Sequence, residues 1–255
     1  MSAKTIIVTG GSNGMGKAMA TRFCADGANV VITGRDPEKL EAAKADMASL
    51  AGQVLTVPMD VRKPDQVDET VVKAKEAFGT IDGLVNNAAG NFIVQAEELS
   101  LNGWNSVIDI VLNGTWHCTQ RVAKEWIDEK KSGSIVNIVA TYAWTGAAGV
   151  VHSASAKAGV LAMSRTLAVE WGRKYGIRIN CIAPGAVENT GGVDKLILNE
   201  EMHKLALASI PAGRFGKLEE IAGVAAFLMS DDAQYVNGDC ITMDGGMWLN
   251  GARFI

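Results

Sequence analysis

Short, unbroken apolar runs alternate along the chain with longer stretches in which apolar residues recur at helical spacing. The runs at 5–9, 29–33, 54–59, 83–87, 134–139, 178–182 and 240–243 are rich in β-branched residues and lack polar alternation. That is the pattern of strands covered on both faces. Amphipathic stretches at 15–26, 38–50, 65–78, 104–130, 150–175 and 218–229 lie between them. Strand–helix alternation predicts right-handed crossovers, and so an α/β fold: a doubly wound parallel sheet with helices on both faces. No repeat, low-complexity tract or linker breaks the alternation, so residues 1–255 are expected to form a single domain.

Composition narrows the picture without changing it. A hydrophobic fraction of 48% in 255 residues suffices for a sheet buried on both sides. The net charge of −4 provides no basic field for nucleic acid or anionic lipid, so anionic ligands must be met by local donors. No apolar run reaches membrane-spanning length, and the first strand begins too early to leave room for a signal peptide. The last residues are not a peroxisomal S-K-L address. The expectation is a cytoplasmic protein with neither nucleic-acid nor membrane partners. Cys24, Cys118, Cys181 and Cys240 are scattered without metal-binding spacing and read as buried, reduced thiols, so no metal site is expected.

Candidate chemistry begins at Thr9, Gly10, Ser12, Asn13, Gly14 and Gly16, placed directly after an apolar run and directly before a helical pattern. Glycines there let the backbone turn sharply and approach a pyrophosphate, whose charge the helix N-terminus meets. The second run ends in Thr33-Gly34-Arg35, with no carboxylate for a ribose 2′-hydroxyl and a guanidinium suited to a 2′-phosphate. NADP is therefore expected over NAD, with Asp36-Pro37 reading as a helix cap. Asp60-Val61 could meet an adenine amino group or cap a helix. Asn87, Ala88 and Gly90 allow close approach to a ribose. Asn91 lies past the edge of the fourth run, either as turn chemistry or against a substrate. Asn113, beside Gly114 in a helical stretch, predicts a kink or a polar group wanted at depth.

The stretch 141–159 carries the sharpest feature. Lys157 sits in a helical pattern with Ser153 one turn before it on the same face, while Tyr142 lies upstream.

T-G-x-x-x-G-x-G, N-N-A-A-G, Asn113, Lys157 and Pro184-Gly185, in that order across the whole chain, resemble the short-chain dehydrogenase/reductase family. The resemblance implies a Rossmann-type sheet of about seven strands and a homotetramer. Ordinary members reduce ketones with a Ser–Tyr–Lys set. Here Ser153 stands at the tyrosine position and Ala140 at the serine position. N-A-A-G-N-F, D-I-V-L-N-G-T, T-Y-A, S-A-S-A-K-A-G-V and M-D-G-G look like the 2,4-dienoyl-CoA reductases, in their bacterial cytosolic branch. That likeness implies NADPH-dependent reduction of a trans-2,4-dienoyl-CoA thioester to a 3-enoyl thioester, an auxiliary step of unsaturated fatty-acid oxidation. Carried over residue by residue, Tyr142 and Asn91 bind the thioester oxygen, and Lys157 and Ser153 hold the nicotinamide ribose and amide. Asn113 completes the polar network, and Pro184, Gly185 and Thr190 flank the cofactor. The segment 186–210, with Gly191, Gly192, Leu196, Leu198, Met202 and Leu205, reads either as a lid over an acyl chain or as a helix packed on the sheet. Trp248 and Phe254 line a pocket or seal a subunit contact.

Three rivals remain open: a trans-2-enoyl-CoA reductase, a 3-ketoacyl or sugar carbonyl reductase, and a non-catalytic NADP-binding scaffold or sensor. Ser153 and Ala140 disfavour the second. Retention of Asn91, Tyr142 and Lys157 disfavours the third.

Overall fold

A computed structural model describes residues 3–190 and 200–250. Seven strands, β1 (Thr5–Thr9), β2 (Asn29–Gly34), β3 (Val54–Pro58), β4 (Gly83–Asn86), β5 (Ser134–Ile138), β6 (Arg178–Pro184) and β7 (Cys240–Met243), form one sheet. Their order is β3-β2-β1-β4-β5-β6-β7, and every pairing is parallel. The order reverses between β1 and β4, and that crevice at the C-terminal strand ends is where such sheets bind ligands.

The strands are buried because side chains alternate between two covered faces. Ile6 and Val8 pack with Met19 and Phe23 of α1 (Gly14–Ala25), together with Val136 and Ile182. Ile7 points to the other face, with Val67 and Val71 of α3 (Pro64–Phe78). Between them in sequence, α2 (Pro37–Asp46) starts at an Asp36 cap that accepts from Glu38 N and Lys39 N, as the Asp-Pro pair predicts.

The long helical stretch predicted at 104–130 is interrupted. It comprises α4 (Leu101–Ile108), one π-helical turn at Asp109–Asn113, and α5 (Gly114–Asp128). The wide turn is the kink that the Asn-Gly pair foretells, and such turns shift the faces of the residues after them. Trp126 of α5 is fully buried and donates its indole N–H to Ile81 O at 2.6 Å. Downstream come α6 (Tyr142–Thr145), a single turn, and α7 (Val151–Tyr175), the longest helix described. Last come α8 (Glu200–Ser209) and α9 (Leu218–Met229), with α9 packed on the α1 face. Part of the predicted lid thus has a described helix, while Gly191, Gly192, Leu196, Leu198 and Phe254 lie outside the described residues, as does any account of the Met202 side chain.

No helix among the described residues is long and apolar enough to cross a membrane.

Candidate active site

The turn after β1 is shaped by what cannot fit in it. Gly10 has φ of 64°, a left-handed conformation, and a Cβ on Gly16 would stand 2.2 Å from Gly10 O. Only glycine allows these two backbones to touch. Asn87 fastens the turn by donating from Nδ2 to Thr9 O at 3.0 Å and to Gly10 O at 3.1 Å. Thr9 Oγ1 accepts in return from Asn87 N and Ala88 N, both at 3.0 Å. Helix α1 has no acidic residue in its first turn, and its Asn13 cap makes no side-chain bond. Its free amides therefore face an anion-binding position.

A cleft of about 960 Å³ opens there, walled by Ser12, Arg35, Asp60, Ala88, Ile110 and Thr190 among others. Arg35 lines it from the end of β2, while Asp36 turns back to cap α2 and lies against Lys39 at 3.4 Å. The helix-end bonds to Lys39 hold the Asp36 carboxyl below its ordinary range. Asp60 lines the cleft, as a residue meeting an adenine would. It is not the α3 cap, a place Lys63 holds; its carboxylate is gripped by Arg62 through Nε at 2.9 Å. That guanidinium, with weaker help from Arg35, lowers the Asp60 pKa. Thr190 reaches the cleft wall but gives its hydroxyl to Val187 O at 2.7 Å. Pro184 ends β6, and Gly185 N bonds Met243 O at 2.9 Å. Val61 also lines the cleft, and Gly90 stands against Ile110.

Beyond the nucleotide turn, α7 presents its first turns to the C-terminal edge of β5. Ser153 and Lys157 are 1% and 7% exposed, one helical turn apart. Lys157 Nζ donates to Ile138 O at 2.5 Å. Burial pulls its pKa down to about 8, slightly countered by Cys181. Tyr142 opens α6 and returns to α7 from the loop, with Oη 3.1 Å from Ser153 Oγ. Desolvation raises the Tyr142 pKa, and the Ser153 contact lowers it less, so the phenol keeps its proton at neutral pH. The displaced tyrosine thus meets the serine that stands one helical turn before the retained lysine.

Two other predicted residues are placed differently. Asn91 is exposed and accepts from Phe92 N at 2.9 Å, the turn chemistry open to a loop asparagine. Asn113 lies in the π turn, which packs on α7. It is exposed and bonds Asp109 at 2.8 Å, whereas Val111 is the buried residue packed with Ala156 and Val160 of α7.

The sequence reading missed His152. It is fully buried, neither ring nitrogen has a partner, and its ring meets Phe92 edge-on at 4.5 Å. Its only sequence signal is a polar residue inside an apolar helix start. Trp248 lies edge-on to Trp144 at 5.7 Å, so the turn after β7 meets the turn carrying Tyr142. Asp244 fixes that turn by accepting from Gly246 N and Trp248 N. Among the described residues no cluster of His, Cys, Asp and Glu could hold a metal ion.

Residues 10–248 match a family described as enoyl-(acyl carrier protein) reductase. A protein of Bacillus subtilis named "Probable 2,4-dienoyl-CoA reductase [(2E)-enoyl-CoA-producing]" is 56% identical over 250 residues, covering 98% of both chains. A mouse protein named peroxisomal 2,4-dienoyl-CoA reductase [(3E)-enoyl-CoA-producing] is 40% identical, covering 96% of this chain and 84% of its own. A solved short-chain dehydrogenase from Bacillus anthracis superposes with a TM-score of 0.91 at 57% identity, covering 98% of each chain. The chain belongs to the short-chain dehydrogenase/reductase family. The crowded glycine turn and the uncapped α1 N-terminus fit the nicotinamide dinucleotide that goes with this fold. An Agrobacterium tumefaciens structure carrying a 2-deoxy-d-gluconate 3-dehydrogenase name has bound NADP, at 33% identity and a TM-score of 0.89.

Proposed function

We propose that this enzyme reduces 2,4-dienoyl-CoA thioesters with NADPH. The observation that carries the reading is the Tyr142 hydroxyl set against Ser153, with Lys157 one turn further along α7. A bound nicotinamide cofactor supplies hydride to the far carbon of the diene. Negative charge then develops several bonds away, on the thioester oxygen. A donor for that oxygen must stand off from the hydride acceptor, and moving the phenol from α7 to α6 provides the separation. Tyr142, kept protonated by burial, donates there, and Asn91, whose Oδ1 holds the turn, adds a second donor through its Nδ2. Such donors act as an oxyanion hole. Lys157 and Ser153 hold the ribose and amide of the cofactor. Thr9, Gly10, Ser12, Asn13, Gly14 and Gly16 hold its pyrophosphate, and Arg35 takes the 2′-phosphate.

Protonation at the α-carbon, the carbon beside the oxygen that Tyr142 serves, leaves a 3-enoyl product. Protonation at the γ-carbon leaves a 2-enoyl product, the outcome named for the Bacillus subtilis relative. The enzyme works in the cytoplasm, and it assembles as a homotetramer. Exposed Val169 on α7 and Trp116 on α5 are apolar surface for such contacts.

The test follows NADPH oxidation with a 2,4-dienoyl-CoA, a 2-enoyl-CoA and a 3-ketoacyl-CoA side by side, with NMR of the product. Turnover of the dienoyl substrate alone is expected. Turnover of the ketone alone overturns the reading, and the position of the product double bond decides between the two protonation sites.

A further inference from the structure

Cys181 and Cys240 are far apart in the chain but directly opposite one another in the register of β6 and β7. Their side chains share one face of the sheet, where both pack with Ala156 and Val160 of α7. Both thiols are free and interact with each other. Neighbouring strands lie about 4.8 Å apart, inside the Cα separation of about 4.4–6.8 Å that a disulfide spans. Cys181 is buried, whereas Cys240 is partly open to solvent. Cys181 also lies close enough to Lys157 to feel its charge.

We propose that Cys181 and Cys240 form a thiol–disulfide exchange site for low-molecular-weight disulfides of the glutathione type, set directly behind Lys157. Cys240, the more accessible of the pair, passes its proton to the Cys181 thiolate beside it and attacks one sulfur of the small disulfide. This forms a mixed disulfide on Cys240 and releases one thiolate, which takes that proton from Cys181 and leaves as a thiol. Cys181 then attacks the Cys240 sulfur as its thiolate and expels the second thiol, leaving a Cys181–Cys240 disulfide. The protein loses two hydrogens and two electrons, and the small disulfide becomes two thiols. The Cys240 contact, Ser164 and Lys157 favour the Cys181 thiolate, which suits it to the resolving role. The same contact, with burial, pushes the Cys240 thiol up, so its proton passes to Cys181 before it attacks. Cys118, by contrast, is wholly buried among apolar side chains. Closing the disulfide removes the thiol beside Lys157 and weakens its hold on a nicotinamide cofactor; this coupling rests on the cofactor reading above.

The experiment incubates the full-length protein with oxidised glutathione, denatures it at acid pH, blocks remaining thiols by alkylation in denaturant, and maps the peptides by mass spectrometry. Expected is one intrachain Cys181–Cys240 link, reversed by dithiothreitol, with Cys24 and Cys118 alkylated. Cys181→Ser is expected to stop at a stable glutathione adduct on Cys240, and Cys240→Ser to remain unmodified. No link in the wild-type protein, or a link only between chains, overturns the site. NADPH titration of the oxidised and reduced forms is expected to show a several-fold loss of affinity on oxidation. A link formed with unchanged affinity overturns the connection to Lys157 and leaves the exchange site standing.

Discussion

The two halves of the cleft are held in different ways. On the nucleotide side, Thr9, Gly10, Gly16 and Asn87 are locked by backbone contacts and reciprocal hydrogen bonds that need no ligand. On the proposed substrate side, Tyr142 bonds the Ser153 side chain, Asn91 bonds its own neighbour Phe92, and neither His152 ring nitrogen is paired. The first half is preorganised for a ligand of fixed shape. The second keeps its polar groups lightly engaged, so a substrate can claim them. The first is therefore expected to fail through sterics, and the second through lost donors.

The largest effect is expected from Gly16→Val. Its Cβ meets Gly10 O and Asn87 Nδ2, so cofactor titration should show no measurable binding while circular dichroism keeps the helix signal. Retained affinity would mean that the turn is softer than its contacts suggest. Next, Tyr142→Phe should lower kcat about a hundredfold with the cofactor Kd unchanged, measured by turnover and by titration; a matching loss in both would place Tyr142 on the cofactor instead.

Lys157 gives a pH signature. Its folded pKa, about 8, lies below the ordinary 10.5, so between those values the native state binds fewer protons than the unfolded one. Stability should therefore rise with pH across that window, the burial penalty being fullest below pH 8. Function runs the other way: kcat/KM should fall as pH rises through about 8, because a neutral amine holds the ribose less well. A flat profile from pH 7 to pH 9 would sink the assignment. Arg35→Ser should weaken NADP about tenfold, the scale of one charge-assisted hydrogen bond, and leave NAD nearly unchanged. The smallest effect, a few-fold rise in KM, is expected for Asn91→Ala, since its Nδ2 is only the second of two donors.

Much of this was legible in the residues. Unbroken β-branched runs announced all seven strands, and the glycines after β1 announced the turn because few residues survive that crowding. Asp36-Pro37 announced its cap. Asn113-Gly114 announced the kink but not its contacts: helical counting assumes a constant period, and the π turn at Asp109–Asn113 breaks it, leaving Val111 as the residue buried with α7. Arg62 gave no warning of its grip on Asp60, which depends on a turn geometry that spacing does not encode. Nor does spacing pair Cys181 with Cys240: only the strand order and register do that.

The contact between Trp144 and Trp248 has a practical consequence. Indole emission responds to its surroundings, and two of the six tryptophans in the chain sit together beside Tyr142, the proposed thioester donor. Docking of a substrate analogue can thus be followed by intrinsic fluorescence without a label, with Trp144→Phe as the control that silences the signal.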